Sequence, residues 1–306
     1  MRDFLSPVLA SGFFESVAVE IALGVGTLVA VVTGVVGVFT VMRGQSFAGE
    51  AFGDLGTTGG AGAYLVGVGT LWGFVIGNLV AAGAMEAIGV QRARGRDLAT
   101  GIVLGAGIGL AALFLYLYTS EHSTTGATVT ILFGSVFAIS SATIPLILLL
   151  SAVVLAITLT LYRPLLLSSV SAEMASARGI PVRLVGALHL VALALAAALA
   201  AITIGTILST ALLVGPAASA LRLTRRPLTA LLTAAGIGIG AMWLGIVLAY
   251  DSFHWPPVRQ GWPVSFFVVT LVFITYLLSG IPEARRRRGT DRNPSATSAA
   301  QPVTPS

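Results

Sequence analysis

The stretch VAVEIALGVGTLVAVVTGVVGVFTV, residues 17–41, contains one charged side chain, Glu20. At about 1.5 Å per residue a helix of this length crosses a hydrocarbon core about 30 Å thick. Runs of the same kind recur to about residue 280, at 98–118, 144–162, 228–250 and 263–280. Two longer stretches, 50–90 and 184–221, each hold either two short spans or one long and one broken span. Composition agrees: the chain is 56% hydrophobic and 9% charged, with a mean hydropathy of +0.95, against roughly 25% charged residues in a soluble domain. The expected architecture is an all-α polytopic membrane protein with eight or nine transmembrane helices. Residues 1–282 read as one membrane domain and 283–306 as a tail.

Cysteine is absent, and all 17 basic residues are arginine. The chain therefore has no disulfide framework, thiolate metal site or cysteine nucleophile. Without lysine it has no Walker A loop, whose lysine meets the nucleotide phosphates; if ATP drives this protein, another chain binds it. The start, MRDFLSPVLASGFFES, lacks a basic-then-apolar layout, so no cleaved signal peptide is expected. Nucleic acid is not an expected partner.

The arginines orient the spans. They gather at Arg92, Arg94 and Arg96, across 163–183, at Arg222, Arg225 and Arg226, and at 285–288, and short arginine-rich loops stay cytoplasmic. The loops around Glu121-His122-Ser123 and 251–262 hold only Arg259, and Trp255 and Trp262 suit a membrane–water boundary, so these loops should face outside. Arg43 places the N-terminus outside. The ending RRRRGTDRNPSATSAAQPVTPS is basic and then rich in Ser, Thr, Pro and Ala, which reads as a disordered cytoplasmic tail. Its arginines read as an ordinary stop-transfer flank, the alternative being contact with anionic membrane lipid at roughly 1 kcal/mol each.

Much of the glycine has helical spacing. Gly101, Gly105 and Gly109 share one helix face, as do Gly236 and Gly240, the small-residue pattern by which helices approach closely in lipid.

RGQSFAGEAFGDLGTTGG, residues 43–60, interrupts this oily background. If 45–55 is helical, Glu50 and Asp54 project from one face at i and i+4. An ionised acid deep in hydrocarbon costs at least about 2.5 kcal/mol, so such residues face a bundle interior or a wet cavity. Two together repel, and a hard divalent cation accepting carboxylate oxygens would relieve that repulsion. Spacing leaves a second arrangement open: an interfacial loop with both acids in water or paired with Arg43. The following Gly56-Thr57-Thr58-Gly59-Gly60 is expected to break or tighten the helix, as backbone lining a cavity does.

Two further segments are punctuated. In TIGTILSTALLVGPAASALRLTRR, residues 203–226, Pro216 removes a helix hydrogen bond and Gly215 permits a bend, giving a helix break along a path or an ordinary kinked span. In SAEMASARGIPVR, residues 171–183, Glu173 and Met174 favour a short helix that Gly179 and Pro181 end; it either docks another protein or merely connects. Of the histidines, His122 and His254 read as solvated loop residues and His189 as a packing residue near the start of a span.

The order of VFTVMRGQSFAGEAFGD (38–54), ILFGSVFAIS (131–140), SAEMASARGIPVR (171–183), TIGTILSTALLVGPAASALRLT (203–224) and WPVSFFVVTLVFITYLLSG (262–280) resembles the permease subunit of the metal-type ATP-binding-cassette importers, those for zinc, manganese or iron. Residues 203–224 carry the most specific likeness. The resemblance implies a type II-like importer permease fold, a permease homodimer in the cell membrane, cytoplasmic ATPase subunits and an extracytoplasmic metal-binding protein. It implies that 171–183 is the coupling helix, with Glu173, Met174, Ala177 and Gly179 toward the ATPase. It also implies that Glu50 and Asp54 are transient metal ligands, with no cofactor bound by this chain and ATP used by the partner. Family members carry Asp and His four residues apart where this chain has Glu50 and Asp54. Loss of the imidazole leaves oxygens, which lean toward manganese or iron(II).

Three rival classes remain, one of them a permease-like subunit that carries an organic or siderophore substrate and needs a wider, less acidic path. An intramembrane aspartyl protease would pair Asp54 with Asp251, but Asp251 falls at an outside boundary. A proton-coupled divalent cation carrier would use the same paired acids and would work without partners.

Overall fold

The computed structural model describes residues 16–88, 96–122, 126–134, 136–252 and 261–291. Among these, every regular element is a helix. α1 (Val17–Met42) and α2 (Ser46–Val66) meet at the tight turn Arg43-Gly44-Gln45, followed by α3 (Thr70–Ile88) and α4 (Arg96–His122). A short α5 (Gly126–Phe133) and two 3-10 turns (Val136–Ala138 and Ser141–Thr143) lead into α6 (Ile144–Thr160). The small helices α7 (Tyr162–Val170) and α8 (Ala172–Ala177) precede α9 (Val182–Ile204), α10 (Thr206–Leu223), α11 (Pro227–Ser252) and α12 (Val264–Asp291).

Among the described residues, eight helices are long and apolar enough to cross a membrane: α1, α3, α4, α6 with its preceding turn, and α9 to α12. α2 is a ninth of sufficient length, 21 residues, whose carboxylates and glycines lower its hydropathy. It is sheltered by packing along α3, α4, α9 and α10. Both ambiguous stretches therefore resolve into two helices each. The last helix runs on to Asp291, past the boundary drawn at 282; residues 292–306 lie outside the described residues.

α9 is the centre, with 78% of its apolar window buried against 17% for α4 at the edge. Its buried side is rich in alanine, Ala192, Ala194, Ala196, Ala197, Ala198, Ala200 and Ala201, and α1, α2, α3, α6 and α10 all pack against it. In lipid such contacts gain from close packing and interhelical hydrogen bonds rather than from exclusion of water. Several hydroxyls inside the bundle are satisfied locally: Thr33, Thr158 and Thr203 donate to carbonyls one turn back on their own helices.

Close helix approaches use other glycines than the spacing pattern nominates. Gly34 of α1 abuts the backbone at Ala234 and Ala235 of α11, and Gly59 of α2 abuts Gly73 and Gly77 of α3. At Gly101, Gly105, Gly109, Gly236 and Gly240 an added Cβ would meet nothing within 4 Å. The packing expectation fails there because those glycines point outward; α4 packs inward through Gly107, which meets Leu55 of α2.

Three contacts gather the arginine-bearing ends on one side. Arg43, after α1, reaches Ser168 on α7, Arg183 at the start of α9 pairs with Glu86 at the end of α3 (3.4 Å), and Arg222 of α10 lies over the Tyr276 ring of α12 (4.0 Å). A second apolar core sits at this end, joining Phe39, Leu165, Val185, Ala217 and Leu231.

Candidate metal path and coupling segment

α2 begins at Ser46 because α1 stops in a Schellman turn. Gly44 adopts φ 63°, a left-handed conformation that costs glycine nothing. The Gln45 N–H donates to the Thr40 carbonyl (2.8 Å) and the Gly44 N–H to that of Val41 (3.0 Å), satisfying carbonyls the helix end would leave bare. From there α2 runs unbroken, so Glu50 and Asp54 lie one turn apart on a helix rather than on a loop. Glu50 is exposed and Asp54 half-buried. Among the described residues no arginine pairs with either.

Gly56-Thr57-Thr58-Gly59-Gly60 does not break the helix. Its glycines bring α3 close: Gly56 and Gly60 face the Phe74 ring and Gly59 faces backbone. The neighbours of α2 can be read around its axis. Gly53 faces Ser209 and Thr210 of α10, Gly56 faces α3, and Leu55 contacts Gly107 of α4, whose carbonyl accepts from the Thr58 hydroxyl (2.6 Å). At 100° per residue, Glu50, Asp54 and Thr57 occupy the remaining sector, between α10 and α4. The result is a groove with carboxylates on its floor, about 6 and 12 Å along α2 from Ser46.

Hydroxyls continue the groove beyond the acids. Thr57 Oγ1 donates to Thr206 Oγ1 (2.8 Å), and Thr206 Oγ1 donates to the Ile131 carbonyl of α5 (3.3 Å). α5 packs on both α2 and α10, closing the end away from the arginines. Beyond it a cavity of about 520 Å³ is lined by Tyr64, Thr70, Thr130, Ser140 and Thr143 among others. Sequence reading passed over Thr206, whose only signal was its place directly after Gly205. The lone Asn78 of α3 was also missed; it is fully buried and donates to the Ala194 carbonyl of α9 (3.1 Å).

The groove presents carboxylate and hydroxyl oxygens, donors suited to a hard divalent cation. Among the described residues no group of three His, Asp or Glu forms, so one chain offers an open pair of ligands rather than a cage. His189 is fully buried on α9, with Nε2 at 3.5 Å from Thr40 Oγ1 and its ring edge-on to Phe39, which is a packing role. The His122 side chain and all of His254 lie outside what the structure describes.

α10 is continuous through Gly215 and Pro216. Proline removes one N–H there, and Ser219 Oγ donates to the Gly215 carbonyl (2.8 Å). The interruption falls instead at Gly205, with φ 88° and its backbone against that of Gly134, where no Cβ fits. The break thus lies between α9 and α10, one residue from the Thr57–Thr206 contact.

At the arginine end, Ser171 caps α8 by accepting from the Met174 N–H (3.2 Å). Gly179 closes it, with the Ile180 N–H donating to the Ala175 carbonyl (3.1 Å). Ala175 is buried, whereas Met174 is 50% exposed and Glu173, Ala177, Arg178 and Gly179 are exposed around it. The segment is a small helix seated on one alanine, with its other faces free.

A profile described as the ABC 3 transport family matches residues 17–279, almost all of the described bundle. The chain belongs to the ABC 3 transport family. As a permease of that family, it is 32% identical over 260 residues to the manganese transport system membrane protein MntC of Halalkalibacterium halodurans, covering 84% of this chain and 86% of that one. It is 28% identical over 230 residues to the manganese import system permease protein ScaB of Streptococcus parasanguinis, covering 75% and 81%. Among solved structures it matches PsaBC from Streptococcus pneumoniae in complex with Fab, with a TM-score of 0.75 and 25% identity over 92% of this chain and 95% of that one. It shares its fold with a putative metal-chelate type ABC transporter in an inward-facing conformation, with a TM-score of 0.70. Membership of the ABC 3 family favours a permease subunit of an ATP-driven metal importer over a self-sufficient proton-coupled carrier.

Proposed function

We propose that this chain forms, as a homodimer, the membrane channel of an importer that carries manganese(II) inward. An extracytoplasmic binding protein delivers the metal and a cytoplasmic ATPase drives passage. The observation that carries the reading is the unpaired acid face of α2, Glu50 with Asp54, set in a groove within a bundle of this family. A carboxylate on an open face inside hydrocarbon is costly, and a second copy laid over the groove would enclose both acid pairs in a shared wet path. Two pairs of carboxylates flanked by hydroxyls make an all-oxygen site of the kind that suits manganese(II), without the imidazole or thiolate donors that zinc favours. The names of the two relatives above, both manganese systems, support the same metal.

Each part has a role. Glu50 and Asp54 replace part of the ion's hydration shell in transit, and Thr57 and Thr206 shape the passage beyond them. The arginine-rich end faces the cytoplasm, in the cell membrane, and α8 presents Glu173, Met174, Ala177 and Gly179 to the ATPase.

The test is metal uptake into proteoliposomes holding the permease with its ATPase and binding protein. Radioactive manganese should enter only with ATP and all partners, and excess unlabelled manganese should compete better than zinc. Uptake by the permease alone would overturn the reading in favour of a self-sufficient carrier.

A further inference from the structure

Any force applied at α8 needs a material route to α2, the helix with the acid face. Apolar contacts fix α7 against α1: Leu165 is buried in the core at this end, and Tyr162 meets Phe39 edge-on at 5.9 Å. Such contacts hold helices together but slide. The hydrogen bond from Arg43 Nη1 to Ser168 Oγ, at 2.8 Å, adds a directional contact.

Both ends of that bond lead onward without slack. Ser168 Oγ donates to the Leu165 carbonyl (3.1 Å), which orients its lone pairs for the guanidinium. Three residues on, the Ser171 N–H bonds the Leu167 carbonyl, and the Ser171 carbonyl accepts from the Ala175 N–H of α8. On the other side Arg43 is the last residue before the Schellman turn, Gln45 is 3% exposed, and the Gln45 carbonyl accepts from the Gly49 N–H inside α2 (3.0 Å). α1 itself is wedged among α6, α9, α10 and α11. A shift of α7 and α8 therefore either breaks the Arg43–Ser168 bond or carries the α1–α2 turn with it.

We infer that the Arg43–Ser168 hydrogen bond transmits movement of the coupling segment to α2, making Arg43 a positioning residue for metal passage. The inference rests on the importer reading above. A charge-assisted bond on a half-buried arginine is short and directional enough to act as such a strut, and its loss leaves α8 free to move without moving Glu50 and Asp54.

The experiment compares wild type, Ser168→Ala and Ser168→Thr in the full complex with ATPase and binding protein, measuring ATP hydrolysed per manganese ion taken up. Ser168→Ala should co-purify with the ATPase and hydrolyse ATP as wild type does, while the ratio rises at least about threefold. Ser168→Thr keeps the acceptor oxygen and should restore the wild-type ratio. The inference is overturned if Ser168→Ala leaves the ratio unchanged, if hydrolysis and uptake fall in parallel, or if Ser168→Thr is as uncoupled as Ser168→Ala. Wild-type complex that takes up no manganese would instead overturn the importer reading, and this inference with it.

Discussion

Gly59→Ala should open the crossing of α2 and α3. An added Cβ at Gly59 would overlap the Gly73 carbonyl oxygen and stand 2.8 Å from its carbonyl carbon and 3.0 Å from Gly77 Cα, all backbone atoms that cannot rotate aside. Heavy atoms attract best at about 3.5 to 4.0 Å, so α3 must retreat by roughly 1 Å or more, and a gap of that width forfeits about half of the dispersion attraction between the neighbouring atom pairs. Overpacking of this kind costs about 1 to 3 kcal/mol. Gly105→Ala provides the control, because open space surrounds that position and alanine gains on helix propensity by up to about 1 kcal/mol. The assay is unfolding of the purified permease in mixed micelles, by denaturant titration with intrinsic fluorescence. Gly59→Ala should be destabilised relative to wild type and Gly105→Ala should not be; equal stability of the two variants would refute a backbone-to-backbone crossing.

Two further outcomes follow from individual side chains. Asn78→Ala removes the hydrogen bond to the Ala194 carbonyl and should cost about 1 to 2 kcal/mol in the same titration; a stabilised variant would show that this bond is not made. Met174→Asp places a charge on the exposed face of α8 without touching buried Ala175, so co-purification with the ATPase should fall at least about tenfold, as for loss of an interface anchor, with unfolding unchanged. Full recovery of the ATPase would remove α8 from the interface.

The spans were legible because a run such as 17–41 has few alternatives once lipid is the solvent. The acid pair was legible because two carboxylates in such a chain demand explanation. α2 was harder to read, since hydropathy ranks a helix by its own composition, whereas Glu50, Asp54 and the glycines from Gly49 to Gly62 are tolerated through the helices around it. Glycine misled twice for one reason. Spacing shows that a face is small, but only tertiary context shows whether a neighbour lies there, so Gly101 and Gly105 face outward while Gly59 is pressed against Gly73. At 203–224 the proline drew attention to Gly215-Pro216, yet the chain breaks at Gly205, where Gly134 of a distant segment leaves no room for a side chain. Long-range pairings such as Arg43–Ser168 leave no local trace in the sequence.

The central claim is that the Glu50 and Asp54 face carries the metal. Its most direct test is manganese uptake by the assembled complex bearing Glu50→Gln and Asp54→Asn together, substitutions that keep shape and remove charge. Uptake should be abolished while membrane level and co-purification with the ATPase stay at wild-type values. Normal manganese accumulation by the double variant would contradict it.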